Sequence, residues 1–425
     1  MADAPPSADN PSGPPEPKPA ARSRRGRILL AAAGAVLLAA GIGLASRLGG
    51  DSGTETAATQ PSAVAASATA PAPSASAVVS AAPSSAAPAP VPTLMPTAAA
   101  VAAASTKAGK RSARTQFSLP RAAGSWPGEY GLSGVNGFPL LNTASVRTFC
   151  TARGRPCNVT QTYTDRTSYE SMTRGTGWTF EFFDNFDGVL VVSQGLVPNK
   201  REELVDDCAA GDYDQHWRDF GSLMVRHGRG DSVVRLGWEM NEESMGWRAL
   251  DTEDYIACYR RAADAIRSTN PKVVLDWSIN AHNTPDELCG GLTTNCYPGD
   301  EYVDIIGIDN YDHWPWSPTK AEFDATADRE DGLNWLFVFA QQHGKLFSVG
   351  EWGVMPFSDA KKDNPEFIRW MHGWFAEHAP YLAYEAYFQR CDGKTNQSSI
   401  LRPDDPKCMA DTSGSSDVYR SLYKS

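Results

Sequence analysis

Residues 233–241 read VVRLGWEMN. The stretch starts as an apolar, β-branched run, which favours a strand. It ends on Glu239, and the loop that follows, EESMGW, adds Glu242, Glu243 and Trp247. A buried strand that delivers a carboxylate at its end must give that charge a partner or a task. Only one of the three glutamates lies within the apolar run itself.

The same plan recurs along the chain. Short apolar runs occupy 157–163 (CNVTQTY), 188–194 (GVLVVSQ), 233–239, 273–279 (VVLDWSI), 303–309 (VDIIGID), 345–351 (KLFSVGE) and 381–388 (YLAYEAYF), with a weaker one at 129–135. Helical patterns fall between them, at 213–228, 251–268, 332–344 and 364–378. Thr252–Glu253 and Asn364–Pro365 are expected helix starts, and Gly228 and Gly344 expected stops. Eight such runs with helices between them in about 310 residues predict an α/β fold, a (β/α)8 TIM barrel spanning 116–425. A doubly wound sheet is the alternative, but no GxGxxG follows the first strand.

Upstream, residues 1–27 are polar and Pro-rich and end in RSRRGR. Residues 28–46 contain no charge, and 47–115 are dominated by Ala, Ser, Pro and Thr. Nineteen uncharged residues are enough to span a bilayer. Arg22, Arg24, Arg25 and Arg27 precede them and only Arg47 follows closely, so a cytoplasmic tail, one transmembrane helix, a disordered tether and an extracellular barrel are expected. A cleaved signal peptide is the rival. The formal net charge is -11, and residues 116–425 carry 29 Lys+Arg against 45 Asp+Glu. That balance argues against nucleic acid as a partner. All 12 Trp lie at or after Trp126, as suits a ligand with apolar faces. The eight cysteines include no CxxC pair, so no metal site is expected. Disulfides between chain neighbours are expected instead, at 150–157, 208–258, 289–296 and 391–408.

In a TIM barrel the functional groups stand at the C-terminal strand ends. Those ends carry Trp238, Glu239 and Asn241, then Asn280 and His282, then Asp309 and Tyr311, then Glu351 and Trp352. Trp247 and Trp314, the latter within HWPW (313–316), lie close by in sequence. Two glutamates on the fourth and seventh strands, set among aromatics, describe glycoside hydrolysis. One is protonated to assist the leaving oxygen, and the other is ionised to attack the sugar.

These motifs resemble glycoside hydrolase family 26, whose members are mostly β-mannanases, with some β-1,3-xylanases and mixed-linkage glucanases. RLGWEMN resembles its acid/base strand, with Arg235, Glu239, Met240 and Asn241 in place. VGEWG resembles its nucleophile strand, giving Glu351. VDIIGIDNY gives Tyr311 as the contact to that nucleophile, and WSIN gives Asn280. The resemblance covers roughly 130–390 and implies catalysis by Glu239 and Glu351. Trp238, Asn241, Trp247, Asn280, His282, Asp309, Tyr311, Trp314 and Trp352 would then line the sugar site. There is one departure: the family usually has His immediately before the acid/base Glu, where this chain has Trp238. An alternative alignment uses Asn241–Glu242, the Asn-then-Glu pattern of the wider clan.

The expectation is a membrane-anchored, retaining endo-β-glycosidase acting as a monomer on a polysaccharide, without a cofactor. A transglycosylase or trimming enzyme for the cell's own exopolysaccharide, and a non-catalytic carbohydrate-binding protein, are the alternatives.

Overall fold

The computed structural model describes residues 132–138, 142–199, 205–281, 284–313, 315–355, 363–391, 399–401 and 411–424. The segments 1–27, 28–46 and 47–115 lie outside the described residues. Among those residues, no helix is long and apolar enough to cross a membrane.

Eight parallel strands close into a barrel in chain order. They are β1 (Leu132–Phe138), β2 (Val159–Tyr163), β3 (Val189–Gln194), β4 (Val233–Leu236), β5 (Val274–Asn280), β6 (Ile305–Asp312), β7 (Leu346–Val354) and β8 (Leu382–Arg390). β8 pairs with β1 along seven residues, which completes the ring. The weak run near 129–135 is therefore a full strand.

Helices follow the sequence signals closely. Thr252–Thr269 is capped by Asp251, whose side chain accepts from the backbone N–H groups of Glu253 and Asp254. The cap thus sits one residue before the expected start. Pro365–Glu377 begins as expected, with Asn364 accepting from Phe367 N–H and Pro365 in the first turn. Gly228 and Gly344 follow their helices with φ of 65° and 63°, the left-handed conformation that ends a helix at little cost in glycine.

The barrel interior has an apolar floor and a polar upper part. The floor takes residues from all eight strands: Leu132, Val159, Val189, Val191, Val233, Val274, Ile305, Leu346, Ala383 and Tyr384. Because side chains alternate across a strand, the residues two and four further along point into the same interior. In β4 that residue is Arg235, and in β5 they are Asp276 and Ser278. In β6 they are Gly307 and Asp309, and in β2 Gln161 and Tyr163. The outward residues pack against the helices in the main core, among them Leu236, Trp277 and Ile308.

Two local irregularities aim the key glutamates. β4 stops at Leu236 because Gly237 turns the chain at φ 59°. Glu239 follows at φ 51°, a left-handed conformation that a non-glycine residue adopts at a cost of about 1 kcal/mol or more. The strand expected to run to Glu239 is therefore three residues shorter, and the glutamate projects from a tight turn. In β7 the pairing with β6 slips between Ile308 and Asp309, so that Val349 faces Ile308 but Glu351 faces Asp309. Gly350 is the extra residue, a β-bulge that reverses the facing of everything after it.

Three disulfides follow the expected pairing: Cys150–Cys157, Cys208–Cys258 and Cys289–Cys296. Cys391 is also disulfide-bonded. Its expected partner, Cys408, lies outside the described residues.

Candidate active site

Arg235 is the hub of the interior. It is fully buried and donates through Nη1 to Glu351 Oε1 at 2.9 Å and to Ser193 Oγ at 3.2 Å. Its Nη2 pairs with Asp309, and its Nε donates to Ser278 Oγ at 3.2 Å. Ser278 in turn donates to Asp276 Oδ1 at 2.7 Å, and Ser348 and Tyr384 hydroxyls donate to Asp276 Oδ2. A guanidinium held on three sides by fixed acceptors is a rigid positive charge under the cleft.

Glu351 receives four donors. Oε1 accepts from Arg235, from Tyr163 Oη at 2.8 Å and from Gln161 Nε2 at 3.2 Å; Oε2 accepts from Tyr311 Oη at 2.7 Å. Tyr163 is itself held by Asn136 Nδ2 at 2.7 Å. Four donors, one of them a cation, hold the carboxyl group in a single orientation.

Glu239 has the opposite environment. It is 9 % exposed, and its carboxyl takes no hydrogen bond among the described residues. Burial pushes its pKa well above the ordinary carboxylate value, and the nearby charges of Asp309 and Glu351 add to the rise against the opposing pull of Arg235. Asp309 is raised by burial too, but Arg235 contacts it directly. Glu239 has no such contact among the described residues, so burial favours its protonated form. The turn that carries it is anchored by Glu239 N–H donating to Ser278 O at 2.8 Å, and Gly237 N–H donating to Gln194 O at 2.7 Å.

Glu242 is half-buried and accepts from Asn280 Nδ2 at 3.3 Å; burial raises its pKa as well. Glu243 is exposed.

The tryptophans do not offer open faces. Trp247 is fully buried, and its indole N–H donates to Trp238 O at 2.7 Å. Trp238 is 2 % exposed, covered by Trp247, Tyr163 and the Arg166 guanidinium, which lies 5.4 Å from its ring centroid. Trp352 faces away from the barrel interior, because the Gly350 bulge turns Glu351 inward. Its indole donates to Glu385, and its ring packs on Phe375, Tyr387 and Tyr419. These three are walls or core rather than sugar platforms.

Two polar residues expected in the sugar site also have structural duties. Asp309 is fully buried on Arg235. Asn241 spends its side-chain amide on the backbone of Asn280, accepting from its N–H and donating to its carbonyl, both at 2.9 Å. Tyr311 donates to Glu351 Oε2, and Asn280 donates to Glu242 Oε2. His282 and Trp314 lie outside the described residues. The sequence reading missed Asn136, Gln161, Tyr163, Arg166 and Ser193 as site residues. Strand alternation was the signal, since Gln161 and Tyr163 share the face of Val159.

Residues 232–362 match the family model described as Glycosyl hydrolase family 26. This segment is similar to family 26 glycoside hydrolases. It contains both glutamates, Arg235 and Tyr311. Among solved structures, a modular endo-β-1,4-mannanase from Cellulomonas fimi is 17% identical, with 67% of this chain and 73% of that one covered and a TM-score of 0.46. The Bacillus subtilis mannanase BCman is 17% identical, with 71% and 87% covered and a TM-score of 0.44. The catalytic domain of a Bacillus sp. JAMB-750 endo-β-1,4-mannanase is 15% identical, with 69% and 85% covered and a TM-score of 0.47. No curated protein matches the chain.

Proposed function

We propose that this glycoside hydrolase is a retaining endo-β-glycosidase, with Glu351 as nucleophile and Glu239 as acid/base. The observation that carries the proposal is the contrast between the two carboxyls: four donors fix Glu351, and burial favours the protonated form of Glu239. In the first step a Glu351 oxygen bonds to the anomeric carbon while the glycosidic C–O bond breaks. Glu239 gives its proton to the leaving oxygen. In the second step Glu239 takes a proton from water, the water oxygen attacks the same carbon, and the bond to Glu351 breaks. Tyr311 and Arg235 hold the nucleophile on its line of attack.

The family resemblance favours a β-mannan-like polysaccharide. The arginine asymmetry around 28–46 supports display of the barrel outside a cell membrane, with residues 1–27 in the cytoplasm. A protease added to intact cells would then release a fragment that begins in the tether; a domain protected as well as cytosolic markers are would sink that topology.

The test of the catalytic assignment uses an aryl β-glycoside whose leaving group needs no protonation. Glu239→Ala should form the glycosyl-enzyme on Glu351 but turn it over slowly, and azide should restore turnover as the β-glycosyl azide. NMR of early products should show the β anomer. Azide rescue of Glu242→Ala with Glu239→Ala left dead would transfer the acid/base role to Glu242.

A further inference from the structure

Arg166 follows β2 at the edge of the cleft and has no role in the chemistry above. Its guanidinium lies 5.4 Å from the Trp238 ring centroid and 5.9 Å from that of Trp247. Among the described residues it makes no ion pair and no side-chain hydrogen bond; its backbone carbonyl alone accepts, from Asn199 N–H. The titratable groups that face it are Tyr163, Glu239, Glu351 and Asp165. Asp165 has its Oδ1 committed to Thr167 and Ser171. Glu351 and Asp309 are both paired with Arg235, and burial favours the protonated form of Glu239. Among the described residues, no carboxylate contacts the Arg166 guanidinium. A half-buried guanidinium with five N–H donors and no protein acceptor has donors to offer a ligand.

We infer that Arg166, with its guanidinium carbon 5.4 Å from the Trp238 ring centroid, is a subsite for an oxyanion substituent, a carboxylate or sulfate ester, on a sugar near the scissile bond. Trp238 is where the chain departs from the family's usual His. Here it provides the plane that orients the guanidinium fork toward an incoming oxyanion. Tyr163, 5.9 Å from Trp238 between ring centroids, donates to Glu351, which links the subsite to the nucleophile. The 45 acidic against 29 basic residues after residue 115 oppose a dense polyanion. The fitting substrate is a neutral β-glycan with sparse acidic substituents.

The inference rests on the hydrolase reading of this cleft, and the experiment separates the two. The full-length chain is assayed on β-1,4-mannan and mixed-linkage glucan, each unmodified and sparsely oxidised at C6 to the uronate. A sparsely sulfated preparation of each distinguishes the two oxyanion sources. The wild type should prefer an acidic form by at least about tenfold in kcat/KM, the scale of a charge-assisted hydrogen bond. Arg166→Gln should bring that ratio to about one, and Arg166→Lys should keep part of it. A folding defect would lower activity on both polymers together and leave the ratio intact. Equal wild-type rates on neutral and acidic polymers, or a preference that survives in Arg166→Gln, would overturn the inference while leaving the hydrolase intact. If no polymer is cleaved, the hydrolase reading fails. Calorimetry with methyl β-D-glucuronide against methyl β-D-glucoside then decides: tighter binding of the uronide that disappears in Arg166→Gln keeps the subsite, and equal binding removes it.

Discussion

Arg235→Met would remove the one cation that contacts Glu351 and Asp309 among the described residues. Arg235 and Asp309 are fully buried and Glu351 is 6 % exposed, so neither carboxylate can turn to water. Breaking a buried pair by deleting one partner costs about 3–5 kcal/mol, because the remaining charge is uncompensated. Unfolding entropy near 2.1 cal/mol/K per residue gives about 0.6 kcal/mol/K for a barrel of roughly 290 residues, so the thermal midpoint should fall by about 5–8 °C. The loss should depend on pH, with a definite sign. Burial already holds Asp309 above its ordinary value of 3.8, and Arg235 opposes that rise. Without Arg235 it rises further. A carboxyl with a folded pKa above its unfolded one keeps its full stability below the unfolded value and loses it as pH climbs toward the folded value. The deficit should therefore be small near pH 4 and grow toward neutrality.

Near-ultraviolet circular dichroism, with the tryptophans as reporters, would follow unfolding of wild type and variant at several pH values. The double variant Arg235→Met/Asp309→Leu removes both members of one pair. It should recover at least half of the lost midpoint at pH 7 and none of the activity, because Glu351 still lacks its cation. A drop of less than about 2 °C at pH 7, or one equal at all pH values, would refute the picture of Arg235 as the charge that holds two buried carboxylates.

Other outcomes follow from the same structure. Glu239→Gln should lose about 10²–10⁴-fold on the natural polymer. It should nonetheless be more stable than wild type from about pH 4.5 upward, the ordinary glutamate value, because burial makes the wild-type carboxyl costly to ionise as pH rises; equal stability at pH 4 and 8 would contradict this. The Cys208–Cys258 bridge closes a sequence separation of 50 and Cys150–Cys157 one of 7. Paired Ser substitutions should therefore cost about 4 and about 2.4 kcal/mol respectively in denaturant melts, and the reverse order would count against the loop-entropy account. A Cβ at position 350 would meet Arg235 Cζ and Nε at 2.9 Å, so Gly350→Ala should displace the guanidinium and lower kcat about tenfold or more. An unchanged kcat would mean that the bulge has room to yield.

The barrel was legible because its signals are local. Seven apolar runs and four amphipathic stretches sit within a few residues of the observed elements. One boundary moved. β4 ends at Leu236 because Gly237 permits a positive φ that the run of apolar letters does not announce. The first strand was faint because LSGVNGF has only three apolar residues in seven. Its glycines are needed where β2 and β8 come close: a Cβ on Gly134 would lie 1.8 Å from Val159 O, and one on Gly137 1.9 Å from Gln389 O.

The site was legible only where it depends on residue type. A carboxylate at a strand end stands out in any sequence, and so does an arginine inside an apolar run. Facing does not stand out. By strict alternation from Ser348, the interior residues of β7 would be Gly350 and Trp352, with Glu351 outside. The bulge at Gly350 inverts that order, bringing Glu351 opposite Asp309 and sending Trp352 to Glu385 and the helices. The glycine that makes the inversion possible is also the residue whose missing side chain leaves room for Arg235. One small residue thus sets both the direction of Glu351 and the seat of its cation. The same logic explains why Gln161 and Tyr163 escaped notice. They carry no charge, and their place beside Glu351 depends on β2 reaching across the barrel interior to β7, a contact between residues 188 positions apart for Tyr163. Fold follows from periodicity within each strand, but the arrangement that could separate an acid from a nucleophile follows from register between strands, and a single inserted glycine is enough to change it.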